Sequence, residues 1–416
     1  MSNDVYIIGV GMIKFGKFLE RSIKDMTGQV LDDVLKDCTL TRDDIQSAWF
    51  SNTGWGIYSF QHSIRGQVAL TANGLQGIPV TNVENACASG STALQGAWTA
   101  VKAGLYDCAL AIGVEKQHHE DRAMVMRSFM AGTDVEEMTR TAERLREEEQ
   151  KRREREAQGK GTEVQQEAPG GHSAFMDFYA AGARAHMKMY GSTQRQLAVV
   201  AAKNHNNSTM NPLAQYTFPQ TVDQVLNDRI VAYPLTRAMC APIGDGAAAA
   251  IICNEEFLKK RPSNRAIKIR ASVLQGGKRS GAGDITERAA KQAFETASVG
   301  PEDIDLMEVH DATTFGEVAA MEALGFCPRG EGGAMAERGD TALDGRIPVN
   351  PSGGLISRGH PIGASGLAQI YELVTQLRGE AGKRQVQNHR IAMTENGGGT
   401  VGAGEAALTI HILEQI

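Results

Sequence analysis

Apolar runs of strand length recur along the chain: Val5 to Val10, Ala109 to Gly113, Ala247 to Cys253, Leu306 to Val309 and Ile391 to Thr394. Longer stretches with helix-like patterning separate them, so the chain predicts strands alternating with helices. That alternation points to a layered α/β fold whose sheet is covered on both faces. Glycine supplies 46 of the 416 residues and clusters where apolar runs end, as tight strand-to-helix turns require.

The pattern also repeats. Leu35–Asn52 (LKDCTLTRDDIQSAWFSN) and Ala293–Asp311 (AFETASVGPEDIDLMEVHD) both read as helix, turn, acidic helix start and apolar strand. Further on, Cys87–Gly104 and Pro361–Gly379 both read as a small-residue helix, followed by the strands CALAIG and RIAMTEN. Two units in the same order predict a duplicated α/β fold, with a pseudo-dyad that brings the turn before each second helix to one cleft. The expected organisation places the first part of the N-terminal half in 1–120, an inserted loop or lid region in 121–190, the rest of that half in 191–262, and the C-terminal half in 263–416. Within the insertion, Glu136–Gly161 alternates Glu and Arg densely. It reads as a solvated helix held by pairs three and four residues apart, and it could serve as a lid or a partner-docking surface.

Composition narrows the function classes. With 43 Lys and Arg against 49 Asp and Glu, the net charge is −6, which argues against a nucleic-acid backbone as partner. The longest nearly apolar run, Ala247 to Cys253, is far short of the roughly 20 residues that span a bilayer, so no membrane span is expected. The six cysteines show neither CxxC pairs nor metal-type spacing, which fits a reducing cytoplasm and predicts no metal site. The first residues lack a secretion-type leader and the last three are not a peroxisomal tripeptide, so a cytoplasmic location is expected. In GVGMIKFG, Lys14 stands where a dinucleotide fingerprint needs its third glycine, and no stretch supplies a Walker loop.

Four positions carry candidate chemistry. Cys87 follows a polar turn and opens a helix rich in small residues, where the half-charge of a helix N-terminus would lower the thiol pKa from about 8.5. Ser89, Gly90 and Ser91 would leave room for a substrate there. His360, ahead of the matching helix, could be the base that activates Cys87. His310, at a strand end, could donate to a carbonyl oxygen or be a plain structural histidine, and Asp311 beside it could fix its tautomer or merely begin the next turn. The Thr394–Gly399 stretch (TENGGG) reads as a loop whose N–H groups could line an oxyanion hole, or as a simple tight turn.

The motifs NACASGSTAL around Cys87, PIGDGAAAAII at 242–252, HDA at His310 and NPSGGLISRGHPIGASG around His360, with the Gly-rich stretch near the C-terminus, together resemble the thiolase superfamily. Within it the chain is most similar to the sterol-carrier-protein-type thiolases, over nearly its whole length. The resemblance implies Cys87 as acyl-accepting nucleophile, His360 as its base and His310 as an oxyanion-hole or water-holding residue. The N–H groups of Cys87 and Gly397 would form a second oxyanion hole. It also implies coenzyme A thioesters as substrates and products with no tightly bound cofactor, a role in lipid metabolism, a homodimer or higher assembly formed through the N-terminal halves, and a small zinc-ribbon/OB-fold partner protein.

One departure matters mechanistically. Where the family carries a second catalytic cysteine, this chain has Ala312 at one position and Glu395-Asn396-Gly397 at the other. Either His310 or Glu395 then handles proton transfer, or the reaction differs. The sequence thus points to an acyltransferase that makes or breaks a carbon–carbon bond through an acyl-cysteine. A retro-aldol lyase acting on β-hydroxyacyl thioesters and an acyl-CoA-binding carrier subunit stand as the alternatives.

Overall fold

The computed structural model describes residues 4–141, 143, 144, 147, 174–279, 284–402 and 404–416. The strands among them are β1 (Val5–Met12), β2 (Ser47–Ser51), β3 (Val80–Val83), β4 (Cys108–Glu115), β5 (Ile230–Ala232), β6 (Leu235–Thr236), β7 (Gly246–Asn254), β8 (Ile267–Gly276), β9 (Leu306–Glu308), β10 (Ile391–Val401) and β11 (Gly404–Gln415). β5 and β6 pair with each other, and the other nine form one mixed sheet in the order β3-β2-β4-β7-β1-β8-β11-β10-β9.

The duplication is written in the pairing. From the centre outwards one half runs β1-β7-β4-β2-β3 and the other β8-β11-β10-β9. In each half the first two pairings are antiparallel and the third is parallel. β3 adds a parallel neighbour to β2, and a parallel bridge from Val349 to Met307 takes the same place beside β9. The halves meet where Tyr6 and Ile7 of β1 pair with Lys268 and Ile267 of β8.

Local stops repeat as well. The Ile23–Cys38 helix ends in left-handed Thr39 (φ 57°), and the Ile285–Ala297 helix ends in left-handed Ser298 (φ 54°). A short 3₁₀ turn follows each, its N-terminus held by an aspartate: Asp44 accepts from the Thr41 N–H and Asp303 from the Gly300 N–H, both at 2.8 Å. Every residue of β4 is buried, as is β7 up to its last residue, so the central sheet is covered on both faces. Leu94, Val101, Leu367 and Ile370 of the two small-residue helices cover one face, and Met26, Val30, Leu31 and Val34 cover the other.

Two expectations change. The Thr394–Gly399 stretch is not a loop: β10 continues through the glycines, paired with β11 as far as Val401 and Gly404. The ladder persists because a strand without β-carbons can lie directly on the Asn85–Ala88 turn, where Gly398 is in backbone contact with Asn85 and Ala88. The small residues after Cys87 also serve packing. Gly90 faces Gly363 O and Leu367 N, and a β-carbon at Gly366 would stand 2.5 Å from Ser91 N, so the Ser89–Lys102 and Ser365–Leu377 helices cross backbone to backbone. That space is filled by protein and is not left for substrate.

Within 121–190, residues 135–141 are helical and Arg140 pairs with Glu136 at 2.9 Å on an exposed surface. The rest of the Glu/Arg-rich run lies largely outside the described residues. Among the described residues no helix is long and apolar enough to cross a membrane.

The helix crossing leads to a stability prediction. Gly366→Ala should destabilise the fold by about 1–3 kcal/mol through overpacking. Gly276→Ala, where a β-carbon meets nothing within 4 Å, should stay near wild type. Urea unfolding of the two variants makes the comparison.

Candidate active site

The crossing helices set two side chains face to face. Cys87 precedes the Ser89–Lys102 helix, directly after Ala86, a non-glycine residue at φ 47° that turns the chain sharply into the helix. His360 lies five residues before the Ser365–Leu377 helix, and its Nε2 is 3.2 Å from Cys87 Sγ. On the other side of the ring, His360 Nδ1 is 2.7 Å from Ser365 Oγ. The Ser365 hydroxyl donates its one hydrogen to Pro361 O at 2.9 Å, so toward His360 it accepts. Nδ1 therefore carries the ring proton, and the Nε2 lone pair faces the thiol.

His310 stands at the end of β9, its ring centroid 5.3 Å from that of His360 at an interplanar angle of 78°. A relay fixes it: Thr409 Oγ1 donates to Ser91 Oγ, which donates to Asn396 Oδ1, both at 2.6 Å. The Asn396 amide then donates to His310 Nδ1 at 2.9 Å. His310 Nε2 thus carries the hydrogen and is a donor. One donor atom each from Cys87, His310 and His360 lies within 4.8 Å of the others. These three, with Gly397, line a cavity of about 780 Å³.

Residues 5–223 match the family described as thiolase, N-terminal domain, and residues 280–413 match the thiolase C-terminal domain-like family. The chain belongs to the thiolase family. Among its thiolase relatives, an acetyl-CoA acetyltransferase of Methanothermobacter thermautotrophicus is 40% identical over 99% of this chain and 100% of its own length. Sterol carrier protein 2 of Oryctolagus cuniculus is 34% identical over 97% of this chain and 71% of its own. The solved structure of an Ltp2-ChsH2(DUF35) aldolase shares the thiolase fold at a TM-score of 0.75, with 19% identity over 99% of this chain and 98% of that one.

Other sequence candidates take different places in this thiolase. The Glu395 carboxylate accepts from the His310 backbone N–H at 2.9 Å and does not line the cavity. Burial raises its pKa to about 7. Asp311 does not touch the imidazole of His310. Its oxygens accept from Leu355 N at 2.6 Å and Asn204 Nδ2 at 2.9 Å, both distant along the chain, and the tautomer of His310 is set by Asn396 instead.

Sequence reasoning passed over three residues of this site: Ser365, Tyr179 and Glu405. Ser365 was legible as the hydroxyl five positions after His360. Glu405 was legible as the single acidic residue opening the mostly apolar run Ala406–Leu413. Tyr179, from the helix Ala174–Tyr190, carried no local signal.

The charge state of the thiol also differs from expectation. Burial first, and then the nearby Glu405, push the Cys87 thiol up to about 12. Desolvation in the cavity floor outweighs the helix end. Burial, then the neighbouring His310 and the positive Arg358, hold His360 well below the usual imidazole range, and burial brings His310 down to about 4. Above about pH 5 the resting site is therefore a neutral thiol hydrogen-bonded to a neutral imidazole.

Two measurements test this electrostatic picture. The 240 nm difference between wild type and Cys87→Ser should show no thiolate step from pH 5 to 9, because a thiol with a raised pKa ionises only above that window. A step near pH 6 would contradict the neutral pair. Ser365→Ala, which frees the His360 ring, should slow acylation of Cys87 about tenfold, or about 1.4 kcal/mol in barrier, with little change in KM.

Proposed function

We infer that the protein is a thiolase-like acyltransferase that takes an acyl group from a coenzyme A thioester onto Cys87 and makes or breaks a carbon–carbon bond. The observation that carries this reading is the 3.2 Å contact between Cys87 Sγ and the proton-free Nε2 of His360 at the floor of a large cavity. A retro-aldol cleavage has no use for that pair, and a carrier would not need the sulfur poised against a base.

The geometry supports the following steps. Cys87 gives its proton to His360 while attacking the thioester carbonyl, and His360 returns that proton to the departing thiol. The N–H groups of Cys87 and Gly397 receive the oxyanion of this step. His310 Nε2–H is placed to stabilise the oxygen of the carbon nucleophile. Asn396 is the positioning residue that keeps His310 a donor, and Glu395 holds its backbone.

Coenzyme A enters and leaves as substrate and product, with no resident cofactor in the scheme. The same reading treats 121–190 as an insertion on the scaffold of 1–120, 191–262 and 263–416. Met126 and Phe129 before the Glu/Arg-rich run, and Met176 and Tyr179 after it, line the cavity, which supports a substrate-selecting role for this insertion. We extend the reading to assembly as a homodimer in the cytoplasm, paired through the N-terminal halves. β3, at the outer edge of that half of the sheet, offers an edge suited to such pairing. A small zinc-ribbon/OB-fold protein completes the proposed set of partners, with lipid-type acyl groups as cargo.

Incubation with a panel of acyl-CoA thioesters, followed by intact-protein mass measurement, should reveal one acyl adduct that maps to Cys87 and is absent from Cys87→Ala. Free coenzyme A should appear at the same rate. Carbon–carbon cleavage of a β-hydroxyacyl-CoA that survives Cys87→Ala would instead favour the lyase.

A further inference from the structure

A carboxyl group reaches the cavity that holds the reactive sulfur from the second strand of the C-terminal hairpin. Glu405 pairs with Thr400 across the β10–β11 ladder, and its side chain folds back along the hairpin until both carboxyl oxygens lie over the α-carbon of Gly397, where a β-carbon would collide with them. Gly398, the next residue, sits against Asn85 O and Ala88 N, on either side of Cys87. The glycines are thus a thin floor with the carboxyl group above and the thiol beside it. Glu405, Cys87, His310, His360 and Gly397 all line the same cavity.

Among the described residues no hydrogen-bond donor or cation satisfies the Glu405 carboxyl. Burial, then the negative charge of Glu395 and of Asp284, hold its pKa well above the usual carboxylate range. It therefore keeps a proton at pH values where an exposed glutamate has lost one. The other candidates for proton transfer are committed elsewhere. Glu395 binds the His310 backbone, and His310 Nδ1 is occupied by Asn396. The Tyr179 hydroxyl, raised well above 10 by burial and by Glu405, cannot serve as a base near neutrality.

We propose that Glu405 is the acid and base of the carbon–carbon step, the role for which this chain has no second cysteine. The assignment rests on the acyltransfer reading above. In the cleavage direction Cys87 passes its proton to His360 and its sulfur attacks the β-carbonyl carbon. The bond between the α- and β-carbons breaks, and its electron pair leaves on the α-carbon of the departing thioester. The Glu405 carboxyl protonates that carbon, and the proton held by His360 restores the carboxyl. The enzyme is left with an acyl group on sulfur and both groups as they began. Condensation is the reverse, with the Glu405 carboxylate removing the α-proton.

The test separates the two half-reactions. With whichever 3-ketoacyl-CoA of a panel starting at acetoacetyl-CoA the wild type cleaves fastest, Glu405→Gln should lower the cleavage rate by at least 100-fold, within the range that general acid–base groups supply. Acylation of Cys87 by the matching simple acyl-CoA, read by mass, should slow by less than threefold. Glu405→Asp should restore part of the cleavage rate with a shifted pH profile, and circular dichroism checks that both variants fold. Cleavage by Glu405→Gln at the wild-type rate would overturn this assignment while leaving the acyl-cysteine intact. A wild type that never acquires an acyl group on Cys87 would remove the acyltransfer reading, and this assignment with it.

Discussion

Two helices of this protein touch through their backbones, and the active site exists because they do. Gly90 against Gly363 and Leu367, and Gly366 against Ser91, bring the start of each small-residue helix within reach of the other. The Ser51 hydroxyl, at the end of β2, donates to Gly363 O and ties the same turn to the sheet. A methyl group at Gly90 or Gly366 would push the helix starts apart. A few tenths of an ångström there would open the 3.2 Å contact between Cys87 and His360, which is carried on those two starts.

The site built on this contact is electrically quiet at rest. Burial keeps the thiol protonated and both imidazoles neutral, and the buried Arg358, paired with Glu308 at 2.9 Å, adds a positive charge that further disfavours imidazolium. Each ring nitrogen has a defined role because a hydrogen-bond chain fixes it: Ser365 and Pro361 for His360, and Thr409, Ser91 and Asn396 for His310. Such a floor spends little on charges awaiting substrate. The separation of charge occurs only as the proton crosses from sulfur to nitrogen, where fixed donors are already aligned.

The floor and the walls of the cavity are supplied by different parts of the chain. The floor comes from the repeated units, whose matching turns meet across the pseudo-dyad. The walls come in part from segments on either side of the Glu/Arg-rich run, with Met126, Phe129, Met176 and Tyr179. A division of this kind lets the walls vary while the distances among Cys87, His310 and His360 stay set by sheet and helix packing.

The α/β alternation, the duplication, and the turns that carry Cys87 and His360 were legible along the chain, because these depend on local spacing: apolar runs and glycine-marked turns. The sequence also singled out His310, just past the end of an apolar strand, and Asn396, within a glycine-rich motif. The charge on the thiol is set by the folded surroundings, since burial acts from all sides and overrides the helix end that local reading invoked. The same holds for the continuation of β10 through its glycines, which the ladder with β11 imposes. It holds again for the choice between Glu395 and Glu405. Their positions ten residues apart say nothing of which carboxyl faces the cavity, because a hairpin's fold-back and the partner each oxygen finds are properties of packing, not of order along the chain.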